Sequence, residues 1–225
     1  GATLDSVKTD YAKVYGLPEA KGAIITSVRD LKAPAGLAGL KPGDVIVTFN
    51  GKTVGNAVDL IGKIAGSEPE EIVNIEYLRE SGSGLERRSA TLKLQERPTT
   101  KPRVDERGAA APSDSPDATK PFGLTLVEIT PAVATSYKLD PKSGLVVKEV
   151  DPASYVADVR TSTGEPALGE GDVIQRINRK DVTDLKTFAN IVGALKPGDA
   201  VVLQVATYDP RQNASQFKIV QFTVR

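Results

Sequence analysis

Gly43-Asp44-Val45-Ile46 and Gly171-Asp172-Val173-Ile174 are the same four residues at two points of the sequence, 128 positions apart. Each begins with a Gly-Asp pair, which favours a turn, and continues into β-branched residues, which favour a buried strand. The same spacing relates further identical residues downstream, which are Asn50 and Asn178, Val54 and Val182, Pro69 and Pro197, and Val73 and Val201. Repetition at a fixed spacing indicates two copies of one folding unit.

A second spacing, of 122 residues, relates the residues upstream of this motif. It pairs Ala12 with Ala134, Tyr15 with Tyr137, Leu17 with Leu139, Gly22 with Gly144, and Val28 with Val150. The second copy therefore holds six additional residues between Val150 and Gly171, and we treat 151–169 as an insert. Because each copy has to bury its own core, we expect tandem domains rather than the repeats of a solenoid.

The stretch from Arg97 to Pro121 differs in composition from both copies. It holds five prolines, and Val104 is its only large apolar residue. Such a segment buries too little apolar surface to offset the entropy of ordering it, and it behaves as an extended spacer. We therefore predict a first domain over 1–96, a linker over 97–120 and a second domain over 121–225.

The composition excludes several classes of function. The 225 residues include no His, Cys, Met or Trp, so the chain holds no catalytic imidazole, thiol nucleophile, disulfide or thiolate metal site. Basic and acidic residues both number 29, and this zero net charge gives no sign of a nucleic-acid partner. We expect no cofactor, no metal and no catalytic residue. Because the sequence starts at Gly1 without Met, we expect it to be a piece of a longer protein.

Hydrophobic patterning predicts the same order of elements in both copies, and Asn50-Gly51 favours a type I′ hairpin turn. The predicted helices are Asp10–Tyr15, Pro34–Leu40, Asn56–Ala65, Pro131–Tyr137 and Asp184–Leu195. The predicted strands are Ala23–Val28, Lys41–Phe49 with its leading turn, Val73–Leu78, Ala90–Leu94, Leu145–Val150, Ala200–Thr207 and Phe217–Val224. Polar segments, Glu80–Gly84 and Asp209–Ala214, are predicted as hairpin turns. The expected fold is a β-rich α+β fold of two small open barrels or sandwiches, each with one long and one or two short helices.

The run Ala38-Gly39-Leu40-Lys41-Pro42-Gly43-Asp44-Val45-Ile46, followed by Asn50-Gly51, resembles a PDZ domain of the bacterial type. Together with Asp10-Tyr11-Ala12-Lys13, Tyr15-Gly16-Leu17 and Lys21-Gly22-Ala23, it is similar to the first PDZ domain of the HtrA, DegP and DegQ periplasmic serine proteases. The resemblance covers 1–96 closely. It covers 121–225 more loosely, because the insert replaces a short helix.

The resemblance implies that the chain binds extended peptide C-termini beside an edge strand, with a loop of the form X-Φ-Gly-Φ holding the terminal carboxylate through backbone N–H groups. The implied loop residues of the second copy are Lys120, Phe122, Gly123 and Leu124. The implied groove residues of the second copy are Thr125, Leu126, Leu185, Phe188, Ala189 and Val192. Helix phase does not follow from the sequence, so Phe188 is placed either in the groove or in the core.

In the first copy, the spacing of 122 aligns Gly1 with Gly123. The implied groove residues of this copy are Gly1, Ala2, Thr3, Leu4, Ala57, Leu60, Ile61 and Ile64. Ala2 is smaller than the apolar residue that the family has at this position. Either the pocket is shallow, or the binding loop lacks residues upstream of Gly1.

Other patterns have structural explanations that compete with functional ones. Asp44 and Asp172 recur at one point of both copies, so we expect them to cap turns rather than to catalyse. Ser215-Gln216-Phe217-Lys218 matches a serine hydrolase motif only as a string, because in a strand the Ser and the Lys point to opposite faces. Lys120 is compatible with a solvated linker residue as well as with a carboxylate partner.

We therefore expect a non-enzymatic module that captures C-termini or extended segments of unfolded proteins for an HtrA-like serine protease domain in the parent chain. Capture would be coupled to protease activity or oligomer assembly, in the periplasm or cell envelope, and a homo-oligomer of the parent protein stays open. The alternative is a non-proteolytic tandem-PDZ scaffold of envelope assembly or secretion. The insert is expected to dock the two units, to pack on its own core, or to form an oligomer contact.

Overall fold

The computed structural model describes residues 2–28, 30–82, 84–95, 120–137, 139, 144–161, 164–209 and 214–225. Gly1 and the predicted linker, except for Lys120, lie outside these residues. We call residues 2–95 the first half and residues 120–225 the second half. Within the described part of the chain, no helix is both long and apolar enough to cross a membrane.

The two halves repeat one order of elements, as the two spacings predict, except that α2 of the first half has no counterpart between β8 and β9. The first half contains strands β1 (Ala2–Ser6), β2 (Ala23–Val28), β3 (Val45–Phe49), β4 (Lys52–Thr53), β5 (Ile72–Ser81) and β6 (Gly84–Lys93). Its helices are α1 (Thr9–Tyr15), α2 (Pro34–Leu37) and α3 (Ala57–Ala65). The second half contains β7 (Leu124–Glu128), β8 (Leu145–Val150), β9 (Val173–Ile177), β10 (Lys180–Asp181), β11 (Ala200–Asp209) and β12 (Ala214–Thr223). Its helices are α4 (Pro131–Tyr137) and α5 (Leu185–Gly193).

The β-rich fold is confirmed, and the closing hairpins are longer than expected. The segments predicted as polar turns continue the strands, because Ser81 pairs with Gly84 and Asp209 pairs with Ala214. Hairpin pairing uses backbone groups, so polar side chains on solvent-facing positions do not end it. The predicted type I′ turn is present, since Asn50 (φ 47°) and Gly51 (φ 74°) both have left-handed backbone conformations.

Each half closes its Gly-Asp turn around a buried carboxylate, which confirms the turn-capping prediction. Asp44 is 1% exposed, accepts the N–H of Lys41 at 2.8 Å, and binds Arg79 of β5 through Nε at 2.7 Å and Nη2 at 2.6 Å. These hydrogen bonds raise the pKa of the Arg79 guanidinium further above its usual range. The guanidinium therefore stays charged beside Asp44 throughout the ordinary pH range.

The equivalent carboxylate of the second half, Asp172, is 3% exposed and has a different set of partners. It accepts the N–H of Gly169 at 2.8 Å, the hydroxyl of Thr207 at 2.6 Å and the ammonium of Lys218 at 2.8 Å. The repeat thus conserves the buried acid while its cation comes from a different strand, β12 instead of β5.

Each half has its own apolar core, and the insert packs on that of the second half. Val156 of the insert, 1% exposed, joins the cluster formed by β7–β9, α5, β11 and β12. Tyr155 contacts Phe222 of β12 edge-on, with ring centroids 6.0 Å apart. The structure therefore shows the insert packing on the core of its own half, which is one of the three placements expected from the sequence.

A third apolar cluster joins the two halves. Helix α1 of the first half packs on β11 and β12, so that Tyr11 and Tyr15 share one cluster with Val202 and Ile219. The two tyrosine rings stack with centroids 4.2 Å apart, and burial raises the pKa of Tyr15 to about 12. The sheets also meet, because Lys218 of β12 pairs with Ser27 of β2, and the strands form one continuous order β6-β5-β3-β2-β12-β11-β9-β8-β7 with β1 beside β2.

An ion-pair cluster lies beside these tyrosines, with the Arg179 guanidinium 5.6 Å from the centroid of the Tyr15 ring. Glu80, near the tip of the β5–β6 hairpin, accepts hydrogen bonds from Arg176 at 2.9 and 3.1 Å and from Arg179 at 3.0 Å. Burial raises the pKa of Glu80, but the hydrogen bonds from the two arginines outweigh it and hold this pKa below its usual value. The joint between the halves therefore combines apolar packing with charge pairing.

We expect Asp44→Asn to lower the free energy of unfolding by about 2–3 kcal/mol, because it leaves the half-buried Arg79 guanidinium without its counter-charge. Urea unfolding at neutral pH measures the change. Glu86→Gln is the matched control, since Glu86 pairs with Arg88 in solvent and its loss should change the free energy of unfolding little. Equal losses in the two variants would contradict the role given to Asp44.

Candidate peptide-binding grooves

One strand in each half has a free side. Strand β1 pairs with β2, and β7 pairs with β8; among the described residues, neither has a second neighbouring strand. Both pairings are interrupted at the same point of the repeat, between Thr3 and Leu4 and between Thr125 and Leu126. An unpaired strand side presents backbone N–H and C=O groups that another extended chain can use.

In the first half, helix α3 lies beside β1. Asn56 caps the helix by accepting the N–H of Asp59 at 2.9 Å, and the N–H of Ala57 donates to the hydroxyl of Ser6 at 3.3 Å. Ala2 and Leu4 of β1 are half-buried against the core from the same side. On the helix, Ile61 is 51% exposed although it is apolar. The space between β1 and α3 is therefore a groove with an apolar wall.

In the second half, α5 takes the same place beside β7. Asp184 caps this helix by accepting the N–H of Thr187 at 2.7 Å, as its position in the sequence suggests. Leu185 is 43% exposed, Ala189 is exposed, and Val192 is half-buried. These three residues share one helix face by their spacing, and they align with Ala57, Ile61 and Ile64 of α3. Of the α3 residues that the resemblance assigned to the groove, Ala57 is only 6% exposed and lies in the core.

The structure separates groove residues from core residues among those named from the sequence. Phe188 is 1% exposed and meets Phe122 edge-on, with ring centroids 6.2 Å apart, so of its two placements the core is the observed one. Leu60, its equivalent in α3, is also 1% exposed. Leu124, again 1% exposed, lies in the core, whereas Thr3, Leu4, Thr125 and Leu126 are half-buried along the edge strands.

The loop before β7 is closed by its own hydrogen bonds. Phe122 (φ 61°) and Gly123 (φ 72°) both have left-handed backbone conformations. The N–H of Gly123 donates to the Lys120 carbonyl at 2.8 Å, and the N–H of Leu124 donates to the Pro121 carbonyl. The resemblance assigned these N–H groups to a peptide carboxylate, but here each already has a carbonyl acceptor. A carboxylate would have to displace those carbonyls.

The insert holds this loop from the other side, a role that the sequence reasoning missed. The N–H of Asp151 donates to the Gly123 carbonyl at 2.8 Å, and the hydroxyl of Ser154 donates to the Asp151 carbonyl at 2.7 Å. A Cβ added to Gly123 would lie only 2.3 Å from the Cβ of Ser154. The Asp151-Pro152 pair, which favours a turn, was the available sequence signal.

Lys120 lies on the surface near β8. Its ammonium is 4.0 Å from the carboxylate of Glu149, and both side chains are largely exposed. An exposed pair at this distance contributes about 0–1 kcal/mol, so it does not fix the position of the lysine. Of the described residues, none gathers into a cluster that could hold a metal ion.

The PDZ domain family matches residues 4–94, which run from β1 to the end of β6. A probable DegP-like periplasmic serine endoprotease of Bartonella henselae is 34% identical over 212 residues, covering 93% of this chain and 38% of that protein. The chain contains PDZ units of the HtrA family.

This HtrA-family chain spans about two fifths of the length of the curated relatives it matches. Another probable DegP-like periplasmic serine endoprotease, from Ectopseudomonas mendocina, is 29% identical over 91% of this chain and 40% of its own length. Because both alignments cover more than nine tenths of the chain, they include the second half as well as the first. The chain corresponds to the PDZ region of these proteases.

Among solved structures, the HtrA-type protease AlgW with a decapeptide shares 25% identity. The match covers 44% of this chain and 29% of the AlgW chain, with a TM-score of 0.39. This score is too low to support an argument about the arrangement of this HtrA-family chain.

We expect Gly123→Ala to destabilise the second half by about 2–3 kcal/mol, because the new methyl group meets Ser154 in addition to straining a left-handed backbone. Gly16→Ala is the matched control, since Gly16 has φ 69° and nothing within 4 Å of the added Cβ, so only the strain of about 1 kcal/mol applies. Urea unfolding measures both. Ser154→Gly should restore part of the loss in Gly123→Ala, and its failure to do so would contradict the contact.

Proposed function

We propose that the chain captures C-termini or extended segments of unfolded proteins in its two grooves and presents them to a serine protease domain of the same protein. The observation that carries this proposal is the edge strand with a free side next to an amphipathic helix, found once in each half as β1 with α3 and β7 with α5. No other pair of elements in the described part of the chain repeats with both features.

The chemistry of the groove suits an extended peptide. Backbone groups on the free side of β1 pair with any sequence, which gives affinity without selecting side chains. Every second side chain of such a strand then faces the helix. There it meets Ile61 and Ile64, which are 51% and 37% exposed and gain from apolar contact. Apolar residues that unfolded proteins expose are therefore the side chains that this groove favours.

Delivery to a protease follows from the relatives rather than from the grooves. Both curated relatives are named as periplasmic serine endoproteases, and the chain covers only 38% and 40% of their lengths. We therefore place the parent protein in the periplasm with a protease domain elsewhere in its chain. The joint formed by α1 and the Glu80 cluster supports a coupling role, since it links the two grooves mechanically.

We expect Ile61→Asp to weaken peptide binding to the first groove about tenfold or more, because it puts a charge where an apolar side chain should dock. The probe is a library of hexapeptides randomised at four C-terminal residues, from which the best-binding peptide is titrated by fluorescence anisotropy. Ala189→Asp tests the second groove in the same way.

Ile72→Asp is the matched control for Ile61→Asp, because it makes the same change at another exposed isoleucine. Ile72 is 66% exposed and lies on β5, which pairs with β3 and β6 and not with the edge strand β1. It should bind the selected peptide as the wild type does. Unchanged binding in the Ile61→Asp, Ala189→Asp double variant would overturn the proposed grooves.

Amidating the C-terminus of the selected peptide should weaken binding by about tenfold to a hundredfold, because hydrogen bonds to a charged group contribute about 1.5–3 kcal/mol. In the second groove the Gly123 and Leu124 N–H groups must first leave their carbonyl acceptors, which reduces the loss there. Anisotropy titrations with the Ile61→Asp and Ala189→Asp variants separate the two grooves. Equal affinity for both forms of the peptide would show that the grooves bind internal segments.

A further inference from the structure

Part of the insert forms an arm that reaches the first half. We define the arm as residues 159–161 and 164–167. Its two sides are tied by the N–H of Thr161 to the Glu165 carbonyl and by the N–H of Ala167 to the Val159 carbonyl, both at 2.8 Å. Ala167 is 3% exposed and Leu168, which follows it, is 4% exposed in the core of the second half. The arm is therefore a small hairpin with a fixed base.

A cavity of about 380 Å³ lies between the arm and the joined sheet of the two halves. The arm contributes Arg160 and Pro166 to its walls, and β12 contributes Lys218. The first half contributes Thr3 and Asp5, which belong to the edge strand β1. The cavity thus borders the strand that the proposed function assigns to peptide pairing.

A row of side chains crosses the floor of this cavity. Thr3 of β1 pairs with Ser27 of β2, and Ser27 pairs with Lys218 of β12. Residues directly opposite each other in a ladder point to the same face of the sheet, and all three line the cavity. Ala2 and Leu4, which flank Thr3, pack instead on the core side. The two faces of β1 are therefore divided between the α3 groove and the cavity.

A peptide that pairs with the free side of β1 would extend this row by one strand. Its terminal side chain faces α3, together with Ala2 and Leu4, so its second residue from the C-terminus faces the cavity side, together with Thr3. We propose that the arm of the second half is the outer wall of the first groove and reads the side chain of this second residue. The inference rests on the proposed function and adds that the first groove is complete only in the joined chain.

The charged residues that line the cavity are the acids Asp5 and Glu165 and the bases Lys8, Arg160 and Lys218. Lys218 is bound to Asp172 at 2.8 Å, and Lys8 lies 3.8 Å from Asp5. Arg160 is exposed, and its Nη1 donates to the Ala157 carbonyl at 2.9 Å. Within the part of the chain that the structure describes, no carboxylate lies within ion-pair distance of Arg160. An acidic side chain at the second position of the peptide therefore has a cation available to it.

The test uses the selected library peptide, resynthesised with Glu, Ala or Lys at the second residue from its C-terminus, and the Ala189→Asp chain, in which the second groove is disabled. We expect the Glu peptide to bind about three- to fivefold more tightly than the Lys peptide, as for a partly exposed ion pair. Arg160→Glu should reverse this order. Lys196→Glu is the control, because it changes the net charge equally at an exposed residue that does not line the cavity.

The reversal is a readout that a merely structural role of Arg160 would not produce, since a damaged arm weakens all three peptides alike. The inference would be overturned if the Glu and Lys peptides bound equally well to the chain that keeps Arg160, or if the Arg160→Glu variant still preferred the Glu peptide. Either result would leave the groove itself intact. Tighter binding of the Lys peptide would overturn it in favour of the cavity's carboxylates. Failure of every library peptide to bind would overturn the proposed function and this inference together.

Discussion

A buried carboxylate behind each Gly-Asp turn is the constraint on which the rest of the structure depends. Asp44 cannot be buried with its charge unless a cation and backbone donors surround it, because the desolvation of a lone carboxylate costs several kcal/mol. Arg79 and the N–H of Lys41 meet this need. The turn they close accepts and donates backbone hydrogen bonds with Ile25 of β2, both at 2.8 Å. Through β2 it sets the place of β1, the edge strand of the groove.

In the second half the same requirement has a wider consequence. Asp172 accepts a hydrogen bond from the ammonium of Lys218 in β12, and the backbone of Lys218 also pairs with Ser27 of the first half. The carboxylate therefore stabilises the middle of β12, where the two sheets meet. Tyrosines support the two turns as well, since Tyr11 donates to the Gly43 carbonyl at 2.8 Å and Tyr137 donates to the Gly171 carbonyl at 2.6 Å. Tyr15 is the sequence equivalent of Tyr137, but it packs in the joint between the halves instead of supporting a turn.

Each long helix has one face in the core and one face beside the edge strand, and the hydrophobic spacing of the sequence does not separate the two. Spacing alone indicates that Leu185, Phe188, Ala189 and Val192 share a broad apolar side of α5. A helix face of this width spans about 100° or more, so the residues at its two edges meet different surroundings. Phe188 lies in the core, where its ring meets that of Phe122 edge-on, whereas Ala189 is exposed beside β7. The loop before β7 is a second such case, since its Gly was recognised but its closure by Lys120 and Pro121 was not.

The sequence by itself determined the two copies, their order of helices and strands, the Asn50-Gly51 turn, the cap at Asp184, and the capping role of Asp44 and Asp172. These are local features or exact repeats, and their physical causes lie within a few residues of chain. Only the tertiary structure decided the joint between the halves, the partners of the buried carboxylates, the contact of Ser154 with Gly123 and the cavity under the arm. Each of these brings together residues that are tens to hundreds of positions apart, and their meeting depends on how whole sheets pack rather than on any nearby pattern.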